Sequence, residues 1–438
     1  MNKLLKLTRM VQYSNYNKPN KLLFVIPFVL FMLGCSCTPT SIPEEVEGIK
    51  PLWSTKLPGK AGVYNRGIIG FALFDGKAHF HSTYFTGIIN DVFEEDNRIH
   101  ALDIETGKIQ WTYPTSYNKS KPMFFGGVPY QYNEYVVTKM WKQGSIKTDK
   151  LVGINFQTGK EIWFNEIPIT YSNICSTDVV GEEESFYLFE QTRKNAILCK
   201  GNIYTGETDA VLVVEPEQGY NYTNITSNVV FQKEKSQIIA GAWERDTTNR
   251  DTYAYQNFLY IIDAKNNFIL NKIHSDFFDK KMLIAYISCH GDKVYAACGL
   301  TTICYNLNTL TVNWTYKSTE SYNYMTNQIV VNDGIVLLYG DNRYVGLDAH
   351  TGEKLYQGDI QCAKVNAFNG YAYIIGRDEY LYILDIKTGR KTHKITCPDK
   401  LKSGDGFHIA CTPQVYGDKL FVFGYYHAYC YDAVPKEE

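Results

Sequence analysis

Three histidines are the side chains best spaced for chemistry in this 438-residue chain. His79 and His81 alternate, so on a strand they share a face, and antiparallel pairing with the run ending at Asp103 would bring His100 toward them. Three imidazoles would suit zinc. Against this, His100 takes the position held by Tyr260, Tyr382 and Tyr429 in equivalent runs, which is a packing position. No metal is therefore expected. No glycine-rich phosphate loop precedes a helix, and no Ser-His-Asp or paired-carboxylate arrangement stands out, so no catalytic residue is expected.

The elements that must position any site are set by a repeat. Eight short apolar runs end in an Asp or Asn anchor: Asp103, Asn155, Asn202, Asp263, Asn306, Asp348, Asp385 and Asp432. Five anchors continue into Thr-Gly (Thr106-Gly107, Thr158-Gly159, Thr205-Gly206, Thr351-Gly352, Thr388-Gly389). Trp111, Trp163 and Trp314 lie eight residues past their anchors, and Tyr356 fills that slot once more. Such a period means stacked units, each too small to bury its own face. Residues 328–356 show one unit: four short runs joined by Asn332-Asp333-Gly334, Gly340-Asp341-Asn342 and the turn after Asp348. The Asp side chain accepts backbone N–H bonds within its turn, and the glycine supplies a positive φ. Tyr (35) and Phe (23) are abundant and helical periodicity is absent after residue 50, which favours strands. The expected fold is all-β: an eight-bladed β-propeller of four-stranded antiparallel blades over residues 51–438. Asp432 leaves almost no chain for a last strand, so the N-terminal run Pro51–Leu57, with Trp53, is expected to close the ring.

The pattern Asp-x-x-Thr-Gly-x-x-x-Trp, as in Asp103–Trp111, resembles the quinoprotein-type, or PQQ-like, repeat. The resemblance spans essentially the whole chain after the tether, with degenerate copies at Asn202, Asp263 and Asn306. Within that family, an eight-bladed lipoprotein of this length resembles the non-enzymatic propeller subunit of the outer-membrane β-barrel assembly machinery. The resemblance thus implies a protein-binding scaffold in the envelope. Quinone-dependent alcohol dehydrogenases of the family stack their cofactor on a disulfide between adjacent cysteines, and no two cysteines are adjacent here. No cofactor and no enzyme activity are expected, and the tryptophans are read as docking blade on blade.

Insertions point to a binding face. Three connections between second and third strands are long: Phe85–Asn97, Met140–Lys150 and Trp243–Tyr255. They carry Phe93, Trp141, Trp243 and Arg245, the candidate partner-binding residues. Long loops with aromatics on a rigid scaffold are where recognition concentrates. A surface or periplasmic glycan- or small-ligand-binding module is the alternative reading.

The first 34 residues read as a lipoprotein signal peptide. Lys3, Lys6, Arg9, Lys18 and Lys21 precede an apolar run, Leu22–Leu33, that is too short to span a membrane, which needs about 20 residues. The run ends at Gly34-Cys35, with Cys35 the expected lipid acceptor, and residues 35–50 read as a flexible tether. An exported, lipid-anchored protein follows, with the outer membrane the expected site. A net charge of −2 gives no nucleic-acid footprint. Of the other ten cysteines, Cys199, Cys304 and Cys430 fall where Ala101 and Gly153 stand in other repeats, as small buried residues. Cys298 and Cys304 flank a tight turn and form a candidate disulfide.

Overall fold

Strands whose residues are buried at every position alternate along this chain with strands buried at every second one. Ile335–Tyr339 and residues 344–347 are buried throughout, whereas Thr311–Lys317 alternates exposed and covered residues. The first kind has neighbours on both faces and the second lies at a rim. In the computed structural model, the described residues are 49–57, 65–74, 77–89, 92–114, 123–142, 148–168, 179–192, 194–246, 256–274, 284–318, 328–340, 343–400, 406–409, 411–425 and 427–434. The signal segment and residues 35–48 of the tether, Cys35 included, lie outside them.

The described strands form eight four-stranded antiparallel sheets. Sheets 1 to 7 occupy residues 65–113, 123–168, 180–214, 222–273, 284–317, 328–358 and 362–395, each in simple up-and-down order. Sheet 8 joins residues 414–432 to Trp53–Lys56, whose register sets Trp53 opposite Cys430 and Lys56 opposite His427. The chain's first described strand thus supplies the fourth strand of the last sheet, as the sequence places it. First strands of successive sheets lie side by side from sheet 1 round to sheet 8 and back to sheet 1. The architecture is an all-β propeller of four-stranded blades. Its core is the set of apolar layers between sheets, such as Tyr187, Phe189, Leu198, Ile225, Ile238, Phe258 and Tyr260 between sheets 3 and 4.

The repeat acts at the joints. Trp53 Nε1 donates to the Ile104 carbonyl at 2.9 Å, Trp111 to Phe156 at 2.8 Å, Trp163 to Ile203 at 2.8 Å and Trp314 to Ala349 at 3.3 Å. The Tyr356 hydroxyl donates likewise to the Ile386 carbonyl. Each ring reaches the next sheet at the residue after its anchor, and lies on the glycine of the next turn. A Cβ there would approach the ring to between 2.3 Å (Gly206) and 2.6 Å (Gly352). On its own sheet each ring faces a small residue: Trp111 faces Ala101, Trp163 Gly153, Trp314 Cys304, Tyr356 Gly346 and Trp53 Cys430. That is why Cys304 and Cys430 sit before their anchors. Burial pushes the Cys430 thiol up to about 12, so it stays protonated.

Anchor carboxylates tie the turns. Asp103 Oδ1 accepts from the Thr106 hydroxyl and amide at 2.8 Å each, and Asp348 Oδ1 from the Thr351 amide at 2.8 Å and hydroxyl at 3.1 Å. The Thr106 hydroxyl bond lowers the Asp103 pKa, and the Thr351 amide bond that of Asp348, in both cases against a burial effect that raises it. A depressed folded pKa contributes stability above the unfolded value of about 3.9, and that contribution is lost as pH falls through the lower folded value. Asn serves as anchor at positions 155, 202 and 306. The double variant Asp103→Asn, Asp348→Asn is therefore expected to melt like wild type at pH 7. Its melting point should fall less than that of wild type between about pH 5 and pH 3. Parallel slopes for the two proteins would refute this.

Two expectations are corrected. Cys298 and Cys304 form no disulfide, because the two-residue turn sets Cys298 opposite Thr301 and Cys304 opposite Tyr295. The first of the three long connections is strand at every described residue, and the other two are strand at their described ends, apart from Asp246. The second and third strands of sheet 1 pair out to Ile89 opposite Val92, those of sheet 2 to Trp141 opposite Asp149, and those of sheet 4 to Glu244 opposite Gln256. Alternating β-prone residues such as Phe85, Ile89 and Phe93 extend the ladder. The tips 90–91, 143–147 and 247–255 lie outside the described residues.

Candidate partner-binding face

Within each sheet the second-to-third strand connection and the link to the next sheet share one end, and the anchor turns the other. Sheet 4 gives the best-described view of the first end. Trp243 and Arg245 are two apart on the strand Gln237–Arg245, so they share a face, and Glu244 points to the other. Trp243 is half-buried and packs on Tyr222 with ring centroids 5.2 Å apart. The Arg245 guanidinium stands 5.5 Å from the Trp243 ring and 5.4 Å from the Tyr222 ring. Cation–π stacking of this kind holds a long side chain in place. Asn224 Nδ2 donates to the Tyr222 hydroxyl at 3.0 Å.

The opposite face holds a charge network that sequence reasoning missed. Glu244 is fully buried and accepts from the Tyr260 hydroxyl at 3.0 Å, Lys272 Nζ at 3.0 Å and the Glu217 amide at 2.9 Å. Lys272 also pairs with the Glu217 carboxylate at 3.0 Å and stands 3.6 Å above the Phe258 ring. Burial, then the Glu244 charge, push the Tyr260 phenol far up, so it remains a donor. The network pins residues 215–221, which link sheets 3 and 4, beneath the aromatic stack. A buried charge in contact with a cation, a phenol and an amide rigidifies its surroundings. No spacing rule could have found it, because Glu217, Glu244 and Lys272 come from a link and two separate strands.

The other candidates are placed less fully. Trp141 lies on the strand Tyr135–Lys142 opposite Phe124, and Phe93 on Val92–Asp103 opposite Ile88. Both belong to the same end of their sheets as Trp243. Their side chains, like Cys35, lie outside the described set.

His100 pairs with Phe80, one step out of phase with His79 and His81, and its Nδ1 lies 2.9 Å from the Thr112 hydroxyl. Among the described residues no group of three His, Cys, Asp or Glu is placed to hold a metal. A second cluster joins nucleophile-type residues. His427 Nδ1 lies 2.5 Å from Asp399 Oδ2, and Cys397 Sγ lies 3.7 Å from the Tyr429 hydroxyl. Burial pushes the Cys397 thiol up to about 11, and its neighbour is a phenol rather than the imidazole, so it has no activating base.

The family model described as outer membrane protein assembly factor BamB matches residues 50–250. No curated protein sequence matches the chain. Among solved structures, BamB from Moraxella catarrhalis superposes with a TM-score of 0.57 at 12% identity, covering 87% of this chain and 99% of that one. The computationally designed Ika8 protein gives 0.54 at 12%, covering 86% and 98%. Sqt1 of Saccharomyces cerevisiae gives 0.55 at 8%, covering 85% and 98%. At such identities the structures share a fold. The chain is a β-propeller of four-stranded blades, and its residues 50–250 are similar to the family described as outer membrane protein assembly factor BamB.

Proposed function

We propose that this chain is a non-catalytic envelope scaffold, a ring of eight blades spanning residues 51–438 that binds a protein partner. Its signal segment is residues 1–34 and its tether residues 35–50, with Cys35 the lipid acceptor and the outer membrane its expected site. The reading rests above all on the Tyr222–Trp243–Arg245 stack, set on strands braced from behind by Glu244 and Lys272. Rigid aromatic and arginine side chains are the usual anchors of protein interfaces. Similarity to the outer membrane protein assembly factor BamB supports a protein rather than a small molecule as the partner.

Affinity capture from detergent-solubilised membranes, set beside a glycan array, tests this. A discrete envelope protein retained in stoichiometric amount is the expected result. Array binding without a protein partner would replace the scaffold by a glycan-binding module.

A further inference from the structure

Sheet 7 presents an outer strand unlike the others. The strand Lys391–Ile395 carries Lys391 and Lys394 with His393 between them, and the turn before it adds Lys387 and Arg390. Residues 386–396 contain no acid. Each of the other seven outer strands has at most one lysine and no arginine. The link to sheet 8 then brings Lys400 back to the same rim. Lys394 Nζ and Lys400 Nζ each stand 4.0 Å from the centre of the Tyr380 ring, and Lys400 Nζ is also fixed by the Asp378 carbonyl at 2.8 Å.

Two ammonium groups held on one ring repel each other, and the ring offsets only part of that cost. Among the described residues no carboxylate pairs with Arg390, Lys394 or Lys400. Neighbouring acids are engaged elsewhere: Asp378 Oδ2 accepts from the Tyr382 hydroxyl, Asp359 pairs with Lys391 at 3.0 Å, and Asp399 lies against His427. The rim therefore carries uncompensated positive charge, in a chain whose net charge is −2. It offers no apolar anchor, since none of the exposed large apolar side chains lies between residues 377 and 400. Positive charge spread along a strand, with no apolar centre, suits a negative plane better than a protein hot spot.

We infer that this rim of sheet 7 rests on a membrane surface, where Arg390, Lys394 and Lys400 meet the phosphate groups of anionic phospholipids. The inference rests on the reading of Cys35 as the lipid acceptor. Ile49 packs on the core between sheets 7 and 8, so the chain joins the ring beside this rim. Ile49 lies fourteen residues after Cys35. Such a tether spans about 50 Å at full extension and about 20 Å on average. Anchor and charge thus select the same side of the ring. Sheets 3 and 4, with the Trp243 stack, lie opposite and stay open to a protein partner.

The test uses the protein purified from membranes and reconstituted on vesicles of phosphatidylcholine, alone or mixed equally with phosphatidylglycerol. Acetylation rates of single lysines are read by mass spectrometry. Lys387, Lys394 and Lys400 are expected to react at least about threefold more slowly on the mixed vesicles, and high salt should abolish the difference. Lys194, exposed on sheet 3, should react alike on both. The variant Arg390→Gln, Lys394→Gln, Lys400→Gln, with an unchanged melting curve, should lose most of the protection at Lys387. Equal rates on the two vesicles overturn the inference, as does equal slowing at Lys194 or protection of Lys387 that survives in the folded variant. Slowing that needs added envelope protein rather than phosphatidylglycerol would give the rim to an acidic protein instead. The mass of the purified protein reports on Cys35 separately. A chain without lipid removes the anchor and this inference together, whereas a lipidated chain with equal rates removes the inference alone.

Discussion

Removal of residues 51–57 is expected to lower the melting point by at least about 5 °C, with a broadened transition. The segment supplies the strand Trp53–Lys56, the Trp53 bond to Ile104, a Thr55 hydroxyl bond to the Gly107 carbonyl at 2.6 Å and the buried Leu57. Loss of a buried Leu costs about 2–5 kcal/mol, and with the half-buried Trp53 and a whole paired strand gone as well the deletion costs about 5 kcal/mol or more. For a domain of this size, about 1 °C of melting point corresponds to 1 kcal/mol. Without its closing strand, sheet 8 also has an open edge beside sheet 1. Trp53→Ala alone should give an intermediate fall. A melting curve unchanged by the deletion would show that the ring does not depend on this strand.

The joints themselves predict a contrast between two glycines. Gly159 has φ +69, and a Cβ there would stand 2.5 Å from the Trp111 ring; Gly334 has φ +76 and open space around it. Ala at Gly334 should cost only the left-handed backbone penalty, about 1–2 kcal/mol. Ala at Gly159 carries that penalty and must also displace an indole that is 9% exposed and bonded to Phe156. Trp111→Ala removes the ring altogether and should cost about 3–5 kcal/mol. In the double variant Gly159→Ala, Trp111→Ala the glycine substitution should revert to a cost close to that at Gly334, since the clash has gone. Chemical denaturation of the four proteins measures this. Equal costs at Gly159 and Gly334 would mean that the glycine is kept for its turn alone.

Much of this fold is legible in the sequence because the repeat encodes both halves of each joint. Asp or Asn sets the turn, glycine gives room, and Trp eight residues on fills the room of the next turn. At the ring joints the small residue before the anchor, such as Ala101 or Cys430, completes the same slot. Less legible is anything that depends on register. A one-residue phase separates His100 from His79 and His81, and apolar alternation alone does not set it. The connection 85–97 reads as a loop because Glu94, Glu95, Asp96 and Asn97 are polar, yet they pair with Gly87, Phe85, Tyr84 and Thr83 and continue the ladder. The Glu217–Glu244–Lys272 network was invisible because packing, not spacing, assembles it.

The claim that this propeller binds a protein partner at the Trp243 end of its sheets is tested most directly by one binding curve. The protein captured from membranes is titrated with wild type and with the double variant Trp141→Ala, Trp243→Ala, each alongside its melting curve. Truncated aromatic anchors typically cost about 2 kcal/mol or more, so binding should weaken at least about thirtyfold while the variant stays folded. Wild-type affinity in a well-folded double variant would contradict the account.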